Sequence, residues 1–92
     1  MPITVDCRGI ANAREFWDRY ERAVGVEKCV SFGRNLDALW DALNGGGPGW
    51  PDTENLVFAN SRDMEDFENG IFLLNALHKI AAKLTLIKIE FV

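Results

Sequence analysis

The chain has 92 residues, is 48% hydrophobic and 11% aromatic, and carries a net charge of −4. That length gives one domain, and that composition excludes a disordered chain. No apolar run approaches the ~20 residues of a membrane span, and Asp6, Arg8, Arg14 and Glu15 interrupt any secretory apolar stretch near the start, so a cytoplasmic protein is expected. Cys7 and Cys29 make neither a CxxC pair nor a disulfide framework, and both are expected as reduced thiols packed in the core.

In chain order, Ile3-Thr4-Val5 is a short β-prone stretch, closed by Arg8-Gly9. Asn12 stands three residues before Glu15, a capping-box-like helix start. Ala13, Phe16, Trp17, Tyr20 and Val24 then follow at helical spacing, with Gly25 as the stop. A second helix is expected from about Arg34 to Leu43, and the run Asn44-Gly45-Gly46-Gly47-Pro48-Gly49-Trp50-Pro51 must be a loop. Its glycine amides could cradle an anion, but no Gly-Lys-Ser/Thr follows and no helix starts there, so a flexible connection is expected. Leu56–Ala59 reads as a fully buried strand. Ser61 can cap a short acidic helix through Phe67, which Asn69-Gly70 ends. A longer helix is expected over Ile71–Lys83 with Leu74, Leu77, Ile80, Ala81 and Leu84 inward, then a last strand over Thr85–Phe91. The order β-α-α-β-α-α-β predicts an α/β fold, a small three-stranded parallel sheet packed with about four helices.

Charge is unevenly placed. Residues 1–34 hold six basic and five acidic groups, whereas residues 35–68 hold eight carboxylates against one arginine, Arg62. An acidic middle repels phosphate backbones, which argues against direct nucleic-acid binding, and it suits a basic protein partner. From charge alone, a solvated acidic surface is the simpler account. The stretch Phe32-Gly33-Arg34-Asn35-Leu36-Asp37-Ala38-Leu39-Trp40-Asp41-Ala42-Leu43-Asn44 is more informative. At 100° per residue, Leu36, Leu39, Trp40 and Leu43 share a sector of about 100°, and Asp37, Asp41 and Asn44 share another roughly 120° away. Like charges at i,i+4 oppose a helix, and Asp41 is expected in its last turn, where the dipole disfavours an anion. A local rule broken without local compensation points to function. As a general acid–base pair, two aspartates on one convex face make a poor cleft. As metal ligands with His78 they lack a third partner at a recognisable spacing. As a recognition surface for a basic site they have the right charge and rigidity. His78 is expected as an ordinary polar residue of a helix surface.

The run from Phe32 to Leu43, aromatic-Gly-x-Asn-Leu-Asp-Ala-Leu-Trp-Asp-x-Leu, closely resembles the signature of the barstar family of ribonuclease inhibitors, and Glu68-Asn69-Gly70 is similar to the family as well. The resemblance implies a three-stranded parallel sheet with four helices, no enzymatic activity and no cofactor. It implies a 1:1 complex with a basic microbial ribonuclease or related nuclease toxin, whose active site receives the helix carboxylates. Asp41 would then mimic the substrate phosphate and Asp37 would contact the partner beside it. Gly33 and Asn35 would shape the approaching loop, with Trp40 and Asn44 bordering the contact. Three positions depart from the family pattern: Ser31 and Gly46 stand where it has bulky aromatics, and Ile80 where it has a glutamate. They bear on which nuclease is recognised, and they leave room for a second reading, an interaction module that kept the fold without the nuclease.

Overall fold

A computed structural model describes residues 1–92. Strands β1 (Ile3–Asp6), β2 (Asn55–Ala59) and β3 (Lys88–Phe91) form one parallel sheet in the order β1-β2-β3. Parallel neighbours cannot be joined by a tight turn, so each link crosses over through helices. The first link carries α1 (Ala13–Val24) and α2 (Leu36–Gly45), and the second carries a 3₁₀ helix (Ser61–Asp66) and α3 (Gly70–Lys83). The order β-α-α-β-α-α-β is thus the expected one, with an additional 3₁₀ turn at Val26–Cys29.

Register aligns Ile3 with Leu56 and Ile89, and Val5 with Phe58 and Phe91. These residues line the core face of the sheet. Thr4, Val57 and Glu90 align on the other face, which stays partly exposed. The expectation of a fully buried β2 is therefore corrected: its burial alternates, as in a sheet with one covered face. The last strand is also shorter than Thr85–Phe91. Continuing the register would set Thr85 opposite Asp52, whose left-handed backbone (φ 53°) cannot extend β2. Ser61 does not cap the short helix; its hydroxyl and its N–H both donate to the Val92 carbonyl, which ties the end of β3 to the second crossover.

The N-terminus of α1 is built as expected. Asn12 Oδ1 accepts from Glu15 N at 2.9 Å, and Glu15 Oε1 accepts from Ala11 N at 2.7 Å. The inward stripe of α1 then supplies Phe16, Trp17, Tyr20 and Val24 to an 18-residue core cluster. Phe32 joins it, with its ring 5.8 Å from Trp17 and 5.4 Å from Tyr20. Each such aromatic contact adds about 0.5–1.5 kcal/mol beyond area burial.

Both cysteines are buried and unpaired. Burial pushes the Cys7 thiol up to about 11 and raises that of Cys29. Since the thiolate is the reactive form, iodoacetamide at pH 8 should label neither residue until urea unfolds the chain. Mass spectrometry of the alkylated protein checks this, and rapid native labelling of Cys7 would show that the end of β1 opens.

Candidate functional site

The site begins at the N-terminus of α2. Asn35 is its cap: Oδ1 accepts from Ala38 N at 2.8 Å, the carbonyl accepts from Leu39 N at 2.9 Å, and Nδ2 donates to the Gly33 carbonyl at 3.3 Å. The helix therefore starts two residues later than expected, because Asn35 satisfies the first free amides as a non-helical residue. A cap of this kind is worth about 1 kcal/mol. Asn35 thus fixes the helix as well as shaping the loop. At Gly33, a Cβ would sit 3.2 Å from Ala38 Cβ and 3.3 Å from Asn35 Nδ2, so this approach leaves little room for a side chain.

Leu39, Ala42 and Leu43 hold α2 in the core, and Leu36 and Trp40 are half-buried at its margin. Asp37, Asp41 and Asn44 lie together on the exposed face, as the helical spacing predicts. Neither aspartate carboxylate has a hydrogen-bond donor or a cation within ion-pair distance; the ion pairs of the molecule are Arg34–Asp18, Arg34–Glu21 and Lys88–Glu90. The helix runs on to Gly45, so Asp41 lies outside the last turn and the dipole opposes it less than expected.

Gly46 has a local reason to be glycine. It ends α2 in the left-handed region (φ 73°), donating its N–H to the Ala42 carbonyl at 3.1 Å. The loop beyond it is not a loose connection. Gly49 is buried at φ 91°, its carbonyl accepts from the Tyr20 hydroxyl at 2.8 Å, and its N–H donates to the Lys28 carbonyl at 2.8 Å. A Cβ there would meet the Phe32 ring at 2.7 Å. The loop is thereby tied to the same aromatic cluster that seats Phe32 next to Gly33.

On the other side of α2 runs a shallow groove of about 420 Å³ against α3, lined by Leu36, Trp40, Ala76 and Ile80 with Asp37 on one rim and Lys79 and Lys83 on the other. Ile80 is half-buried there rather than at the centre of the core. Sequence reasoning missed the two lysines as part of this surface, because only the packing of α3 against α2 brings them near. It also missed Arg34, whose guanidinium reaches across to α1 and pairs with Asp18 and Glu21. His78 stacks on Phe91 with ring centroids 3.8 Å apart, and no three metal-ligating side chains come together.

Residues 1–90 match the model of the family described as Barstar (barnase inhibitor). The chain belongs to the barstar family. A search of curated proteins returns no match. The match takes in β1, β2, both crossovers and all of β3 but its last residue, so the barstar fold accounts for the architecture and not only for the α2 signature. No helix is long and apolar enough to cross a membrane.

Proposed function

We propose that this barstar-family chain inhibits a basic microbial ribonuclease, or a related nuclease toxin, by inserting Asp41 and Asp37 among the cationic groups that bind the substrate phosphate. The observation that carries this is the pair of carboxylates itself: exposed, one turn apart, on a capped and core-anchored helix, with no internal partner. A nuclease binds a phosphodiester with Arg, Lys and His donors, which a carboxylate can satisfy without being cleaved. Gly33, Asn35, Trp40 and Asn44 border the contact. The protein acts in the cytoplasm of its producer as a stoichiometric binder rather than a catalyst, with no cofactor and no contact with nucleic acid.

The test is a titration of RNA cleavage by basic secreted ribonucleases. One enzyme of the panel should lose activity linearly and be silent at one equivalent, with a buried area of about 1,200–2,000 Å² in the complex. No inhibition by a large excess, across guanyl-specific and toxin-type nucleases, overturns the proposal. Charge adds a second expectation. Eight carboxylates over residues 35–68 steer a cationic partner, so association is fast at low salt and slows as salt shortens the Debye length to about 8 Å at 0.15 M. Stopped-flow rates at several ionic strengths check this, and a salt-independent rate would reduce the acidic stretch to solvation.

A second reading is favoured by Ser31, Gly46 and Ile80, which lack the side chains of the family pattern: a barstar-fold interaction module with no nuclease to inhibit. Finding a nuclease-toxin reading frame beside the gene would favour the first reading, and inhibition of no nuclease the second.

A further inference from the structure

Arg34 stands between Gly33 and Asn35 and places a cation in a loop that the inhibitor reading assigns to a cationic partner. Its backbone is left-handed (φ 54°), uncommon for a residue that carries a side chain. The guanidinium is spent on α1. Nη2 pairs with Asp18 Oδ1 and donates to the Arg14 carbonyl at 3.3 Å, while Nε faces Glu21 Oε2 at 3.2 Å, off the N–H direction. A planar guanidinium held by two carboxylates and a carbonyl is fixed in direction as a lysine would not be.

Little else holds the loop. No backbone hydrogen bond to another element uses the N–H of Gly33, Arg34 or Asn35. The neighbouring anchors are the buried Phe32 ring before it and the Asn35 cap after it, and Gly33 and Asn35 are themselves exposed. No cation other than Arg34 lies between Lys28 and Arg62 in the chain. Freed from α1, it would range within one Debye length (~10 Å at 0.1 M) of Asp37, its neighbour by three residues.

We propose that the Arg34–Asp18–Glu21 clamp positions residues 33–35 and the start of α2, and keeps the Arg34 charge away from the face that receives a basic partner. Arg34 is a positioning residue here, not a contact residue. The second half rests on the inhibitor reading above; the first half does not.

Two variants separate the parts. Arg34→Met removes both clamp and charge, whereas Asp18→Asn with Glu21→Gln removes the clamp and frees the charge. Positioning is read in the free protein by ¹⁵N relaxation. The order parameters of Gly33 and Asn35 fall from about 0.85 to below about 0.6 in both variants, while those of β2 stay rigid. Unchanged order parameters in both variants overturn the positioning role. Charge is read as the association rate, at low salt, with a basic ribonuclease that the wild type inhibits. Arg34→Met changes the net charge by the same amount in either background, so long-range steering cancels in the comparison. In the wild-type background it speeds association by no more than the steering gain common to both backgrounds, less what the lost positioning costs. In the Asp18→Asn/Glu21→Gln background it speeds association about fivefold or more, because it removes a released cation from the docking face. An equal factor in the two backgrounds overturns the sequestration. If the wild type inhibits none of the ribonucleases tested, the inhibitor reading fails, and with it the sequestration, while the relaxation data still decide the positioning.

Discussion

Replacing Asp41 with alanine should weaken binding to the ribonuclease about 10²–10³-fold or more while making the free protein about 0.5–1 kcal/mol more stable. The free-state gain has two sources. Alanine exceeds aspartate in helix propensity by about 0.5–0.7 kcal/mol, and the repulsion from Asp37 at i,i+4 adds a few tenths. No loss offsets these, since the exposed Asp41 carboxylate makes no hydrogen bond or ion pair in the protein. The dipole contributes little, because α2 continues to Gly45 and Gly46 caps it. In the complex the same carboxylate lies desolvated among cationic donors, and removing one partner of a buried pair costs about 3–5 kcal/mol. At 1.4 kcal/mol per tenfold, that is the stated loss of affinity. The two effects have opposite signs, and an aspartate serving the fold alone cannot produce both. Urea melts of the free protein and dissociation rates of the complex decide it. A variant that is less stable and binds unchanged assigns Asp41 to the fold and removes the central residue of the proposed site.

That opposition makes the acidic face of α2 legible in the amino-acid sequence. Leu36, Leu39, Trp40 and Leu43 repeat with the helical period, so the directions of Asp37, Asp41 and Asn44 follow from the backbone geometry, and the burial of α2 has that pattern. The strands and the order of helices are readable for the same reason, each being a local signal. What is not readable depends on contacts between distant segments. Gly49 is fixed by a hydroxyl 29 positions away, on Tyr20, so a glycine-rich string that reads as loose is tied down. The last strand starts at Lys88 rather than Thr85 because its partner β2 starts only at Asn55, after the left-handed Asp52, and no single segment reveals that register. Arg34 belongs with these. Asp18 and Glu21 share a face of α1 at i,i+3 spacing, but nothing local says that this face meets the loop before α2. The site is therefore divided: its carboxylates come from a repeat within one helix, and the clamp beside them comes from tertiary packing.

The largest expected change in stability lies away from that site, at Gly70. It opens α3 and is buried, and its N–H donates to the Phe67 carbonyl at 2.9 Å. A Cβ there would fall 1.7 Å from the Met64 carbonyl oxygen and 3.1 Å from the Phe67 ring. The close contact is with backbone, which no rotamer change can relieve, so either the 3₁₀ helix or the start of α3 must move. Overpacking of this kind costs about 1–3 kcal/mol and occasionally more, and a backbone clash sits at the upper end. Alanine recovers about 0.5–1 kcal/mol of helix propensity. The net loss for Gly70→Ala is then about 2–3 kcal/mol, a large share of the stability of a small domain. At 4–8 °C per kcal/mol, the melting temperature should fall by roughly 10–20 °C. Gly45 is the matched control. It is also helical, as the last residue of α2, but nothing lies within 4 Å of its Cβ position and its φ is not positive. Gly45→Ala should therefore raise stability by about 0.5–1 kcal/mol through propensity alone. Calorimetric melts of the two variants give the comparison directly. If Gly70→Ala melts at or above the wild type, the 3₁₀ helix does not press on the start of α3, and the glycine there serves only as a break between helices.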